Sequence, residues 1–112
     1  MKKIYALLVL AGIFNAAAAA DIVGNPKAAV AKVEQCIGCH GIPGYKAGFP
    51  EVFRVPMIAG QSAKYIEAAL NAYKKGDRKH PTMHGVAASL SDQDIADVAA
   101  YYAQMNSNTA RK

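Results

Sequence analysis

Three stretches of the chain repeat apolar residues at the 3.6-residue spacing of an amphipathic helix. The first begins at Asn25 and Pro26, an N-cap residue followed by a proline at the first helical position. It leads directly into a pair of cysteines. Its apolar positions are Ala29, Val30, Val33 and Ile37. This spacing predicts one helix over the segment.

Two further helices are predicted in the second half of the chain. One starts after Ser62 and stops at Gly76, where a glycine C-cap follows two lysines. The other opens at Ser91, and Asp94 three residues later completes a capping-box pattern. Their apolar faces consist of Ile66, Ala69, Leu70 and Tyr73, and of Ile95, Val98, Ala99, Tyr102 and Met105. The sequence therefore predicts an all-α fold of helices packed around something central, with no strand.

Two irregular segments connect these helices. Residues 41–61 are rich in glycine and proline, and a loop of that length in a compact domain is usually functional. The stretch DRKHPTMHG, residues 77–85, is predicted as a second, shorter irregular connection.

The N-terminus has the pattern of an export signal. Lys2 and Lys3 precede an apolar stretch, which ends in an alanine run before Asp21. A charged start, an apolar centre and a small-residue cleavage site are typical of a secretory signal peptide. The alternative is an uncleaved anchor, since the stretch lies at the lower edge of the length that spans a bilayer. We expect residues 1–20 to be cleaved, which leaves residues 21–112 as one domain in the periplasm, without stable membrane insertion.

Size and charge restrict the function further. The hydrophobic core of a domain this small is marginal unless a disulfide or a cofactor stabilises the fold. The two cysteines are too close in sequence to close a useful disulfide loop. The formal net charge of +5 falls to +3 once Lys2 and Lys3 are removed. A charge this mild argues against nucleic acid as a partner, and it fits a basic docking face for an acidic protein.

The only two cysteines lie in the sequence CIGCH, residues 36–40. Cys-x-x-Cys-His is the attachment signature of c-type haem. On a helical turn these three side chains share one face, so Cys36 and Cys39 can bond covalently to the porphyrin while His40 reaches the iron. The predicted cofactor is one covalent haem c.

Three other interpretations of the cysteine pair agree less well with the sequence. A redox dithiol of the thioredoxin type needs a βαβ setting, which the pattern lacks. A zinc site needs further ligands, for which His80 and His84 are the candidates. A disulfide between Cys36 and Cys39 gains almost no entropy. Haem attachment agrees best with the export signal and the small core.

The sixth position of the iron is assigned to Met83, which lies in a polar stretch where a core role is hard to supply. Met57, His80 and His84 remain alternatives, whereas Met105 is predicted to pack in the core. A thioether opposite an imidazole favours ferrous iron and raises the reduction potential. Since it also fills the open position, it leaves electron transfer rather than enzymatic chemistry as the function.

Together these motifs resemble the class I cytochromes c, the small monohaem type of the bacterial periplasm, and the domain that occurs twice in dihaem respiratory cytochromes. The resemblance rests on CIGCHG at 36–41, PMIAGQSAKYI at 56–66, KKGDRKHPTMHG at 74–85 and LSDQDIADVAAYYAQM at 90–105. It implies three to five helices wrapped around one covalently bound haem.

The resemblance also implies roles for individual residues. Cys36 and Cys39 form the thioethers, and His40 and Met83 are axial ligands. The carbonyl of Pro56 is expected to accept a hydrogen bond from the His40 ring, which fixes the imidazole. In this family the terminal helices cross with aromatic contacts. Here only the C-terminal helix supplies aromatic residues, Tyr101 and Tyr102.

The segment before Pro56 is expected to cover the haem propionate edge, with Tyr45 and Arg54 as candidate hydrogen-bond donors. The alternative is an ordinary surface loop. A basic surface is expected to receive an acidic redox partner, and its residues are Lys64, Lys74, Lys75, Arg78 and Lys79. The predicted function is a respiratory electron carrier between a donor such as a cytochrome bc complex and a terminal oxidase or reductase. The alternatives are a haem subunit of a larger dehydrogenase or oxidase complex and a ligand-binding haem protein.

Overall fold

The computed structural model describes residues 20–48 and 52–105. Most of the proposed signal peptide lies outside these residues. The elements in chain order are α1 (Glu34–His40), β1 (Lys46–Ala47), β2 (Phe53–Arg54), α2 (Ala63–Lys75), α3 (Pro81–Ala88) and α4 (Asp92–Gln104). Among the described residues, no helix combines the length and apolar character needed to span a membrane.

Helix α2 begins and ends where the sequence predicted, and α4 begins where the sequence predicted. The Ser62 side chain caps α2 by accepting the Tyr65 N–H, and Gly76 ends the helix in the left-handed region at φ 87°. Ser91 and Asp94 form the predicted capping box at the start of α4. At the N-terminus of each helix, a nearby side chain therefore accepts a backbone N–H that has no partner within the helix.

The prediction of a first helix from Pro26 is wrong in its start. Residues 26–33 form turns, in which the N–H of Lys32 donates to Ala29 O and α1 begins only at Glu34. Ala29 and Val33 are buried as predicted, but Val30 and Ile37 are largely exposed. The β-branched residues Val30 and Val33 weaken the helix here, because branched side chains lose rotamer freedom in a helix.

The interpretation of residues 77–85 as irregular is also wrong for its second half. Helix α3 starts at Pro81, with His80 as its N-cap residue. Met83 therefore lies in the first turn of a helix, and the N–H of His84 donates to His80 O at 2.8 Å. The proline at the first helical position was a signal for this start, because its fixed φ and missing N–H suit that position.

A small antiparallel hairpin, absent from the prediction, lies within residues 41–61. Lys46 pairs with Arg54 and Ala47 with Phe53. The N–H of Val55 extends the ladder by donating to Tyr45 O at 3.0 Å. Strands of two residues are too short to show an alternating sequence pattern, which is why the pattern did not predict them.

The core lies between α2, α3, α4 and the segment before α1. It consists of Ala29, Val33, Ile66, Leu70, Ala87, Leu90, Ile95, Val98, Ala99 and Tyr102. Met105 packs against this cluster, in agreement with its predicted core role. The Lys74 ammonium donates to Leu90 O at 2.6 Å and so ties the end of α2 to the chain just before α4.

The N-terminal segment meets α4 through a glycine rather than an aromatic contact. A Cβ on Gly24 would lie 2.2 Å from the carbonyl oxygen of Ala96 and 2.9 Å from Ala100 Cβ. The amide of Gln93 donates to Val23 O at 3.0 Å. Tyr101 and Tyr102 contact each other instead, edge to face at 5.3 Å.

Candidate haem site

Helix α1 carries the Cys-x-x-Cys-His motif on two turns. Cys36, Cys39 and His40 are each half-buried, and no residue of the helix is fully buried. Ile37 and Ile42, next to the motif, are 47% and 45% exposed. An apolar surface of this kind beside the motif suits a flat apolar ligand.

The thiol of Cys36 is not activated. Burial, followed by the neighbouring Cys39, raises the pKa of Cys36 above its ordinary value. A reactive dithiol needs the opposite shift, because the thiolate is the nucleophile. This environment disfavours the redox-dithiol interpretation of the pair.

The ring of His40 is held by the chain that follows the hairpin. Its Nδ1 lies 2.6 Å from the carbonyl oxygen of Pro56, so Nδ1–H donates and Nε2 is left with a lone pair. The hydrogen bond predicted between these two residues is therefore present. Such a bond fixes the tautomer and orientation of a metal-binding imidazole.

The loop that contains Pro56 is in turn fixed to α4. The N–H of Gly60 donates to Tyr102 O at 2.9 Å, and Ile58 and Ala59 pack against the core. The carbonyl that orients His40 thus belongs to a segment anchored on the most buried helix of the domain.

Tyr102 brings an unpaired polar atom to the same region. Its side chain is buried, and within the described residues its hydroxyl has no hydrogen-bond partner. Burial, followed by the neighbouring Cys36, raises the pKa of Tyr102 above its ordinary value. A buried hydroxyl without a partner is uncommon in a finished core, and it indicates a place where a further group fits.

Met83 is half-buried and packs against the core cluster. The other candidates for the sixth ligand differ in their surroundings. The ring of His84 is committed to a hydrogen bond between Nδ1 and Tyr73 O at 2.7 Å. His80 Nδ1 accepts the N–H of Met83 at 3.4 Å, and Met57 is half-buried in the loop after the hairpin.

The remaining predicted residues lie on the hairpin and along α2 and α3. Tyr45 lies just before β1. Arg54, in β2, pairs with Lys46, the residue that follows Tyr45. Both Tyr45 and Arg54 are exposed. The basic side chains Lys64, Lys75, Arg78 and Lys79 are exposed. The Lys74 ammonium is less available to a partner, since it binds Leu90 O and lies 3.3 Å from the carboxylate of Asp92.

Comparison with known proteins agrees with this geometry. The family model described as cytochrome c matches residues 27–106. The chain belongs to the cytochrome c family. Haem c is its covalent cofactor, and the residues present fit it: paired cysteines, an oriented imidazole and uncovered apolar surface around them. This cytochrome c is therefore a haem c electron-transfer protein.

The chain matches one relative over nearly its whole length and two longer relatives over half of their length or less. Cytochrome c-554(548) of Halomonas halodenitrificans is 42% identical over 82 residues, which cover 70% of this chain and 94% of the relative. Cytochrome c4 of Pseudomonas aeruginosa is 37% identical over 102 residues, covering 91% of this chain and 47% of the relative. The thiosulfate dehydrogenase electron acceptor of Stutzerimonas stutzeri is 37% identical over 76 residues, covering 65% and 33%. The chain spans about half the length of cytochrome c4 and a third of that electron acceptor.

Proposed function

We propose that this cytochrome c is a periplasmic carrier of single electrons whose iron is bound by His40 and Met83. The observation that carries the proposal is the 2.6 Å hydrogen bond between His40 Nδ1 and Pro56 O. It leaves Nε2 as the only ring nitrogen able to bind a metal, and it holds the ring in one orientation. The bond also increases the basicity of the imidazole as a ligand.

The assignment of Met83 rests on its place and chemistry. It is half-buried against the core in the first turn of α3, whereas the His84 side chain is exposed. Met57 remains the alternative thioether. A thioether is a soft ligand, which stabilises the ferrous state and raises the reduction potential.

Haem supplies the site of the one-electron change, and the protein supplies position and surroundings. Cys36 and Cys39 fix the group to α1, and His40 and Met83 occupy both axial positions. With no open coordination position, the iron has no place for a substrate. The protein is accordingly proposed to be a carrier and not an enzyme.

The domain limits and the location are part of this proposal. Residues 1–20 are proposed to be a cleaved signal peptide and residues 21–112 the mature domain. The support is the order of charged, apolar and small residues before Asp21. Export places the domain in the periplasm, next to the donors and acceptors of a respiratory chain.

The proposed docking surface consists of Lys64, Lys75, Arg78 and Lys79, with Lys74 beside it. These cations lie on α2 and on the connection that leads to Met83. Exposed charge of one sign steers a complementary partner and raises the association rate. An acidic face on the redox partner matches this surface, and Tyr45 and Arg54 are proposed as donors at the propionate edge.

A second candidate function has an observation of its own. One relative is named an electron acceptor of thiosulfate dehydrogenase. The same domain can therefore serve as the haem subunit or dedicated acceptor of a dehydrogenase, in a long-lived complex. Sedimentation of the natively purified protein distinguishes the two, since a free carrier sediments as a small monomer and a subunit sediments with its enzyme.

The experiment for the axial ligands is a visible spectrum of the oxidised and reduced holoprotein, for wild type and Met83→Leu. We expect the weak far-red methionine-to-iron band in the oxidised wild type and its loss in the variant. Met57→Leu is the matched control and should keep the band. A band that survives Met83→Leu and disappears in Met57→Leu would reassign the ligand, and its absence from wild type would favour His80 or His84.

A further inference from the structure

A row of rings joins the hairpin to the connection between α2 and α3. The ring centroids of Phe53 and His80 are 4.5 Å apart, with the planes tilted by 57°. The Tyr73 ring also contacts the His80 ring, edge to face, with centroids 6.4 Å apart. The Arg78 guanidinium carbon lies 4.7 Å from the Tyr73 ring centroid. His80 is therefore held between a residue of β2 and a residue of α2.

His80 is at the same time the N-cap residue of α3. Its Nδ1 accepts the N–H of Met83, and its carbonyl oxygen accepts the N–H of His84. In the orientation in which Nδ1 caps the helix, the His80 ring also contacts Phe53, with the two planes tilted by 57°. The first turn of α3, which carries Met83, is fixed through this single side chain.

We propose that Phe53 is a positioning residue for the sixth iron ligand. It holds the His80 ring in its capping orientation and so keeps the first turn of α3, with Met83, closed against the core. This inference rests on the proposed ligation by Met83. The segment before Pro56 would then do more than cover the propionate edge. Its hairpin leads to the carbonyl that orients His40, and it would also stabilise Met83, the proposed sixth ligand.

The expected effect follows from local opening. An external ligand such as cyanide binds ferric iron only after Met83 has left, which requires the first turn of α3 to open. A contact that stabilises the closed form slows that opening. Because an aromatic pair contributes about 0.5–1.5 kcal/mol beyond its buried area, its loss should accelerate cyanide binding by about fivefold.

The test uses the oxidised holoprotein and four variants. Phe53→Leu removes the stacking ring, and His80→Asn removes the partner ring but keeps a side chain that caps a helix well. The double variant completes a mutant cycle. Val52→Ala is the control on the same hairpin, since the Val52 side chain is 71% exposed. The far-red band, the cyanide binding rate and the urea midpoint are measured for each.

We expect Phe53→Leu to keep the band and to bind cyanide about fivefold faster than wild type. In the His80→Asn background, where the cap no longer depends on the ring, the Phe53 change should have no further effect. Val52→Ala should behave as wild type. An unchanged rate in Phe53→Leu, or rate effects that multiply in the double variant, would overturn the positioning role while leaving Met83 as the ligand. A wild-type protein that lacks the far-red band would instead overturn both the ligation and the inference that depends on it.

Discussion

The backbone N–H of Asn25 donates to the buried carboxylate of Asp97 at 2.7 Å, across 72 residues of sequence. The same carboxylate accepts the Gln93 amide at 2.8 Å and the Lys32 ammonium at 3.2 Å. Asp97 is only 2% exposed, so these donors compensate for its desolvation. One side chain thereby ties the segment before the haem motif to α4.

Replacing Asp97 by alanine should destabilise the domain. The change leaves the Asn25 N–H and the Gln93 amide without their acceptor, and we expect a loss of about 2–3 kcal/mol in the free energy of unfolding. Urea unfolding of the oxidised holoprotein measures it. Asp92→Ala removes an exposed carboxylate from the same helix and should cost much less. Equal losses in the two variants would contradict the importance of the buried tie.

Acid should weaken the same region. The hydrogen bond from Lys32, with those from the Ser91 backbone and hydroxyl, lowers the pKa of Asp94 from 3.8 to about 2. The Asn25 N–H, then Gln93 and then Lys32, lower the pKa of Asp97 against the effect of burial. A carboxyl group with a lowered pKa in the folded state stabilises the protein above its unfolded pKa.

That stability should be complete above about pH 4 and should disappear as the pH falls towards about 2. Urea midpoints at pH values across this range measure the loss. Asp94→Asn and Asp97→Asn should each start from a lower midpoint and lose less of it on acidification than wild type does. Asp92→Asn serves as the comparison. A variant whose midpoint falls as steeply as that of wild type would show that its carboxylate carries no such linkage.

Gly24 should not tolerate a side chain. An alanine Cβ would lie 2.2 Å from the carbonyl oxygen of Ala96, so the segment or the helix has to move. We expect Gly24→Ala to lower the free energy of unfolding by about 1–2 kcal/mol. Gly48→Ala is the matched control, because no heavy atom among the described residues lies within 4 Å of its added Cβ. A harmless Gly24→Ala would mean that the segment is not packed on α4 in solution.

The docking surface predicts a charge effect on electron transfer. Lys75→Gln and Lys79→Gln should each slow the second-order rate with an acidic redox partner by roughly twofold to threefold at low salt, since steering by several charges raises association rates by about 10- to 1000-fold in total. The difference should vanish at about 1 M salt, where the Debye length is about 3 Å. Stopped-flow kinetics provides the rates.

Lys27→Gln is the control for that experiment, because Lys27 is exposed and belongs to the N-terminal segment, not to α2 or the connection that follows it. It removes the same charge and should leave the rate close to that of wild type. If all three variants slow the reaction equally, net charge and not a localised surface governs the encounter.

How much of the fold could be predicted depended on whether a signal was local. Ser62, Gly76 and the Ser91–Asp94 capping box each act within one helical turn, so both ends of α2 and the start of α4 were predicted. The start of α1 was not, since the N–H of Asn25 is bound by Asp97 of a distant helix and residues 26–33 form turns.

The candidate site shows the same division. Cys36, Cys39 and His40 are adjacent in sequence, and their spacing alone indicated the haem. The contact of His40 with Pro56 came from a family resemblance, and the structure contains it. The contact of Phe53 with His80 has no sequence pattern, because it joins a two-residue strand to the cap of a helix that was itself missed.

The hydrogen bond from His40 to Pro56 closes a loop of sixteen residues, and the hairpin lies inside that loop. The entropy of closing a flexible loop grows slowly with length, by about 0.6 kcal/mol for each doubling. Residues can therefore be added or removed beyond the paired Ala47 and Phe53 at little cost to the imidazole contact. The orientation of the imidazole and the length of the connection between the two strands are therefore largely independent of each other.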